Sequence, residues 1–365
     1  MNGLFIELSI GFAWILAAWT LPSRAFKWVT MLAALAFFAC LDVRSALLLL
    51  AITLGGWGAL QLPFRKGSIA LVSGLAGLTI LFSFKWLDGW FPLGISYFVF
   101  RQIGYQIEAY KNELPPHSLE DLLTYQFFPP VLLVGPIHRF APFMTELRRR
   151  RWNPDLFSEG LEKIIIGLFH IAFVGNFLLS HKAPNWIDGL AVGTWHYLEA
   201  LRFAFNSYFQ FAGYSQVAVG LAALAGIRVM DNFNRPFLAQ NISEFWQRWH
   251  ISLSSWCRDY VYLPLVASTR NVAIGLLLSL GLLAVWHEPS INYVLWGLMH
   301  VAATLVYRWW RESGGQRWLR SIHPATRLLG HLLTFHFVVF SFTMIRTNYL
   351  AGFKKFWSPV IESLL

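Results

Sequence analysis

The stretch that decides the reading is Glu244-Phe-Trp-Gln-Arg-Trp-His-Ile-Ser-Leu-Ser-Ser-Trp-Cys-Arg-Asp-Tyr-Val-Tyr-Leu-Pro264. It mixes three indoles with Arg248, His250, Arg258 and Asp259, and its serines, Ser252, Ser254 and Ser255, add hydroxyls. Such a cluster does not face lipid, and it suits a wet pocket holding an anionic group. The surrounding chain is greasy. Of 365 residues, 56% are hydrophobic, 13% are charged and 17% are aromatic, with 18 Trp and 32 Phe. Soluble domains carry about a quarter charged residues. A helix crossing a hydrocarbon core of about 30 Å needs roughly 20 apolar residues. Several runs approach that length: Leu4 to Leu21, Trp28 to Leu41, Ala46 to Leu62 and Ile69 to Phe84 before the block, with Ala273 to Val285, Ile291 to Trp309 and Leu328 to Ile345 after it. No alternation of polarity suggests barrel strands. The expected fold class is all-α: a polytopic membrane protein with about 8 to 11 transmembrane or re-entrant helices.

Basic residues fall in alternate loops, at Arg24/Lys27 and Arg65/Lys66. The positive-inside rule then puts those loops in the cytoplasm and the N-terminus outside. The first run has neither a basic region before it nor a small-residue cleavage site, so it reads as a retained helix. The net charge of +10 is assigned to such loops and not to nucleic acid, for which no basic stripe exists. Cys40 and Cys257 read as buried free thiols, with no metal spacing. The middle is irregular. Phe91 to Tyr110 carries Arg101, Gln102, Gln106 and Glu108, while Tyr125 to Pro136 holds Pro129, Pro130, Gly135 and Pro136. Broken backbone at membrane depth needs cover from protein or water, so these pieces are expected to be re-entrant or interfacial. An apolar helix is expected around Ile164 to Leu179, and an aromatic-rich one over Tyr197 to Gly226. The expected divisions are residues 1–90 (N-terminal helices), 91–310 (core) and 311–365 (C-terminal helix and tail).

Polar groups in apolar helices are functional candidates by default. His250 and His287 fit best, one in the polar-aromatic block and the other closing an apolar run 37 positions later. Helices returning through the membrane can bring the two together.

The block from Phe245 to Pro264 resembles the signature of the membrane-bound O-acyltransferase family. It resembles in particular the bacterial branch of alginate O-acetylase membrane subunits and teichoic acid D-alanyl transfer proteins. Further matches follow in family order: Pro92-Leu-Gly-Ile-Ser-Tyr-Phe98, Phe127-Phe-Pro-Pro130, Val134-Gly-Pro-Ile-His-Arg139, Tyr208-Phe-Gln-Phe-Ala-Gly-Tyr-Ser215, Asn232-Phe-Asn-Arg-Pro-Phe237, Trp286-His287 and Leu295-Trp-Gly-Leu-Met-His300. The chain departs at Glu288, where a small residue is usual, and at Gln210 and Gln216, where the family has aspartates. The resemblance implies a ring of tilted helices around a central tunnel and makes His287 and His250 the catalytic pair. It implies transfer of an acyl group, acetyl foremost, from a cytoplasmic acyl-CoA or acyl carrier protein thioester. The acceptor is a hydroxyl of an extracytoplasmic glycan or of a partner acyltransferase, and the location a bacterial inner membrane. No bound cofactor or metal is implied. Arg248 and Arg258 are expected to hold the donor's phosphate or the carrier rim, and Trp249 and Trp256 to wall the tunnel. Ser254 and Asp259 complete the donor pocket. A proton-coupled transporter and an inactive scaffold of a glycan-synthesis complex are the alternatives.

Overall fold

A computed structural model describes residues 2–86, 90–315 and 325–346. Much of the expected C-terminal tail, 316–324 and 347–365, therefore lies outside the described residues. The described residues are helical throughout, apart from turns and loops. Among the described residues, five helices are long and apolar enough to cross a membrane: Ser23–Leu41, Val43–Leu60, Lys66–Phe84, Pro154–Ile187 and Arg327–Arg346. Two shorter apolar helices, Gly11–Thr20 and Val272–His287, join them. Their apolar side chains point outward. Leu71 and Val72, for example, are 64% and 65% exposed. A surface of that kind suits lipid and not water. The expected helical, polytopic membrane class holds.

The chain divides into two compact units, Met1–Gly167 with Tyr214–Asp231, and Leu168–Gly213 with Asn232–Leu365. The first contains α1 (Asn2–Thr20), α2 (Ser23–Leu41), α3 (Val43–Leu60), α4 (Lys66–Trp86), α5 (Ile95–Tyr110), α6 (Leu119–Gln126) and α7 (Phe140–Arg149). The Asp42/Arg44 turn is a clamp. Asp42 caps α3 by accepting from the Arg44 N–H at 3.2 Å, and it also accepts from Ser45 Oγ at 2.7 Å and Trp90 Nε1 at 2.5 Å. The expected run from Phe91 to Tyr110 is helical only from Ile95. Gly94 turns the chain with φ +71°, and a Cβ there would lie 2.5 Å from the Leu132 carbonyl oxygen. The proline-rich segment breaks as its composition demands, keeping one 3₁₀ turn at Pro129–Val131. Trp14, Phe26, Tyr105, Tyr125, Phe128 and Phe143 form the core.

A polar tie joins α2 to α6. Ser118 and Asp121 form a reciprocal capping box, and Lys27 Nζ reaches Asp121 Oδ1 at 2.6 Å. Burial pushes the Asp121 carboxyl up. The Lys27 and Ser118 hydrogen bonds and the Lys27 charge outweigh it and hold the group below its ordinary 3.8. A depressed carboxyl stabilises the fold above its unfolded value, and that contribution is lost as pH falls through the folded one. Asp121→Asn should therefore lower the apparent unfolding temperature by about 2–4 °C at neutral pH, a gap that closes below pH 3.8. Thermal scans of the two proteins in detergent at both pH values check this.

The second unit takes the later part of α8 (Pro154–Ile187) and the first part of α9 (Val192–Leu224). Between Phe169 and Lys182, α8 winds in wide π turns, and it is longer than the expected Ile164 to Leu179. The unit continues with α10 (Ile242–Arg248), α11 (Ile251–Cys257), α12 (Leu263–Thr269), α13 (Val272–His287), α14 (Ile291–Trp310) and α15 (Ala325–Arg346). The decisive block is thus no unbroken helix: α10 ends just before His250, and α11 then runs on through a π turn at Arg258–Tyr262 into α12. α13 and α14 form an antiparallel hairpin so close that a Cβ on Gly297 would lie 2.8 Å from the Ala284 Cβ. Ala200, Ala204, Phe245, Trp249, Val338 and Phe342 make the core.

Candidate active site

His250 is the hinge between α10 and α11, with φ 43° and ψ 53°, the left-handed region. Few residues other than glycine sit there, although histidine is among those enriched. The segment around Asn232 pins it. The Ile251 N–H donates to the Asn232 carbonyl at 2.8 Å, Ser252 N–H to Asn232 Oδ1 at 3.2 Å, and Asn234 N–H to the Arg248 carbonyl at 3.0 Å. The Asn232-to-Phe237 motif is therefore a backbone brace for the histidine. The imidazole is 1% exposed and neither ring nitrogen has a hydrogen-bond partner. Phe211 meets it edge-on at 4.7 Å and Trp286 at 6.1 Å, with Phe233 at 6.5 Å.

His287 ends α13 and is half-buried. Its ring stacks on Tyr293 at 5.7 Å and 21°, with Trp286 at 4.5 Å and Trp296 edge-on at 6.2 Å. Trp286 thus stands between the two histidines, and their charges interact. Burial first, then a charge on His287, holds the His250 imidazole well below the ordinary histidine range. His250 lies in its loop outside the spanning helices. The fold brings together the two histidines that the sequence holds 37 positions apart.

The other expected residues divide. Arg248 is occupied: its Nη2 donates to Glu244 Oε1 at 2.6 Å and its Nη1 to the Asn234 carbonyl at 3.4 Å. Trp249 is core, stacked on Phe245 at 5.6 Å and edge-on to Phe342 at 5.2 Å. Trp256 is buried against Tyr260. Arg258 and Asp259 pair at 2.7 Å. Ser254 Oγ donates to the Trp249 carbonyl at 2.9 Å.

Ser254 and Arg258 also line a cavity of about 330 Å³. Its wall follows α13 from Leu283, one turn before His287, to Val272. That end is about 22 Å from His287 at 1.5 Å per residue. Arg308 of α14 and Arg311, just past its end, join Arg258 on the lining. Sequence reading left these two without a role, and His300 likewise. His300 is buried, its Nε2 lies 3.1 Å from Ser341 Oγ, and Trp296 separates it from His287. Cys257 lines the cavity and is buried as expected, but Cys40 is exposed.

Helices with lipid-facing surfaces, carrying a buried imidazole with a second histidine near it, define a membrane-embedded protein. Comparison with known proteins gives the family. The chain belongs to the membrane-bound O-acyltransferase family, which matches residues 13–346. It is 33% identical to the probable alginate O-acetylase of Pseudomonas aeruginosa over 71% of this chain and 49% of that protein. It is 33% identical to the teichoic acid D-alanyltransferase of Bacillus subtilis, over 68% of this chain and 67% of that one. Identity to the peptidoglycan O-acetyltransferase of Helicobacter pylori is 28%, over 96% of this chain and 77% of that protein. The chain spans about half the length of the alginate relatives it matches.

Proposed function

We propose that this protein moves an acyl group, acetyl foremost, from a cytoplasmic thioester to a hydroxyl of an extracytoplasmic glycan or relay protein, in a bacterial inner membrane. The observation that carries the reading is the pair itself: a half-buried His287 beside a buried His250 whose ring nitrogens bond to nothing in the protein. Packing histidines of that burial normally satisfy at least one nitrogen. The names of the three relatives, two O-acetyl and one D-alanyl transfer protein, support the same class.

In this mechanism His287 takes the proton from the acceptor hydroxyl. The oxygen attacks the thioester carbonyl, and the carbonyl electrons move onto its oxygen. The neutral His250 donates its N–H to that oxyanion. Collapse expels the thiolate, which takes the proton back from His287, leaving an ester. An imidazole suits the first step because its ordinary pKa lies close to working pH. Arg258, with Arg308 and Arg311, holds the phosphate of a pantetheine-bearing donor by its guanidinium forks. Ser254 lines the approach. Arg248 and Trp249 act indirectly, fixing the backbone before His250, while Asp259 orients Arg258 and Trp256 backs the lining. Residues 91–310 hold all of these groups but Arg311. The donor is acyl-CoA or an acyl carrier protein thioester.

Two measurements test the reading. Mass spectrometry of cell-surface polymers, with and without the gene, should show loss of an ester-linked acyl group from one polymer. The purified protein should then release thiol from labelled acetyl-CoA or acyl carrier thioester when that polymer is added. Unchanged polymers and no acceptor-dependent release would refute the reading, as would solute flux in liposomes without any thioester.

A further inference from the structure

The first unit buries a polar cluster that the acyl-transfer chemistry does not use. Arg101, Gln102 and Gln106 lie on α5, Gln126 ends α6, and His138 stands two residues before α7. Arg101 is 1% exposed. Its guanidinium makes one long hydrogen bond, to the Tyr125 carbonyl at 3.4 Å, and its Nε and Nη2 have no partner. Gln126 Nε2 donates to Gln102 Oε1 at 2.8 Å, which leaves the Gln102 amide donor and the Gln126 carbonyl open. Gln106 donates to the Gly56 carbonyl at 2.7 Å, leaving its own oxygen open. Gly56 makes the room, since a Cβ there would strike both the Gln102 and Gln106 amides. The His138 ring, held between Tyr125 at 4.7 Å and Phe143 at 5.0 Å, has only the Pro136 and Tyr125 backbone near its nitrogens and lies within electrostatic reach of Arg101.

Each open group is costly when buried, and a buried cation most of all. In a membrane protein such groups mark a ligand or ion path. The inventory also describes the ligand. Three open donors lie on Arg101 and Gln102, so negative charge is wanted. Two open amide oxygens, on Gln106 and Gln126, can only accept, so the ligand must also donate. A simple carboxylate leaves those oxygens orphaned, and a neutral polyol leaves the guanidinium uncompensated. We infer that this cluster binds a small oxyanion carrying hydroxyl groups, either a hydroxycarboxylate or a protonated phosphate. The site is independent of the acyl-transfer reading.

A ligand that binds only the folded state stabilises it by RT ln(1 + [L]/Kd), so the unfolding temperature climbs with the logarithm of its concentration above Kd. The full chain, purified in detergent micelles, is titrated at matched ionic strength with sodium lactate, sodium propionate, inorganic phosphate and sodium chloride. Lactate or phosphate should raise the midpoint by about 3 °C or more beyond chloride. Propionate, which has the shape of lactate without its hydroxyl, should need at least about tenfold more. A response to lactate alone identifies a hydroxycarboxylate, and one to phosphate alone identifies phosphate. Arg101→Lys keeps the charge but loses the fork, and His138→Phe keeps a ring in the aromatic cage. Each should raise the half-saturating concentration about tenfold or more, and His138→Phe serves if the Arg101 variant does not fold. Lactate and phosphate acting no better than chloride, propionate matching lactate, or a response that survives in the folded variants would overturn the inference.

Discussion

His287→Ala is expected to lower acyl transfer by about 10²–10⁴-fold, the usual worth of a positioned general base, while the protein inserts and unfolds nearly as before. The fold should survive because of where the residue sits. His287 is the last residue of α13 and half-buried, and alanine is the best helix former. The change removes a ring stacked on Tyr293 and touching Trp286, worth about 1 kcal/mol. In a chain of this size that is a shift of about 2–4 °C or less. The hairpin that carries the residue is held elsewhere, by the close approach of Gly297 to Ala284 and by Leu280 and Leu283. The informative experiment is single-turnover transfer from labelled acetyl-CoA or a carrier thioester, alongside a thermal scan of the same sample. A well-folded variant of wild-type rate would remove His287 from the chemistry and leave the cavity as a binding site alone.

Much of this was legible in the chain, and the unreadable parts have identifiable causes. α2, α3 and α4 were visible because lipid leaves no competing use for an unbroken apolar run, and their edges moved by only a few residues. His250 and His287 stood out because polar groups at those positions are expensive. The break at His250 was not legible. Its left-handed backbone is normally announced by glycine or asparagine, and here the signal lies in a different segment, at Asn232. The fate of Arg248 could have been read from Glu244, four residues earlier, in the favourable order for a helical ion pair. The cavity lining could not. Arg258 and Arg308 are 50 positions apart and meet only because α13 and α14 fold back on each other. Trp249 shows the limit of composition. An indole beside a candidate catalytic residue reads equally well as tunnel wall or as core, and only its packing on Phe245 and Phe342 decides for core.

The same backbone oddity makes His250 the more discriminating target, because glycine and alanine should part company there. The left-handed conformation costs an ordinary residue about 1–2 kcal/mol and glycine almost nothing. Both substitutions remove the imidazole from between Phe211, Phe233 and Trp286, and both leave a similar void. Only alanine keeps the backbone penalty. His250→Gly is therefore expected to be more stable than His250→Ala by about 1 kcal/mol, after glycine's greater freedom in the unfolded chain is deducted. That order is the reverse of the one expected in a helix. Transfer should nevertheless fall by about 10²–10³-fold in both, the usual loss when one oxyanion donor is deleted. His250→Asn should lie between wild type and these two, since asparagine accepts the left-handed backbone and its amide still donates. Unfolding temperatures separate the backbone effect, and single-turnover rates separate the chemical one. If the glycine variant turned over as fast as wild type, His250 would matter only for the shape of the α10–α11 hinge, and some other donor would have to meet the oxyanion.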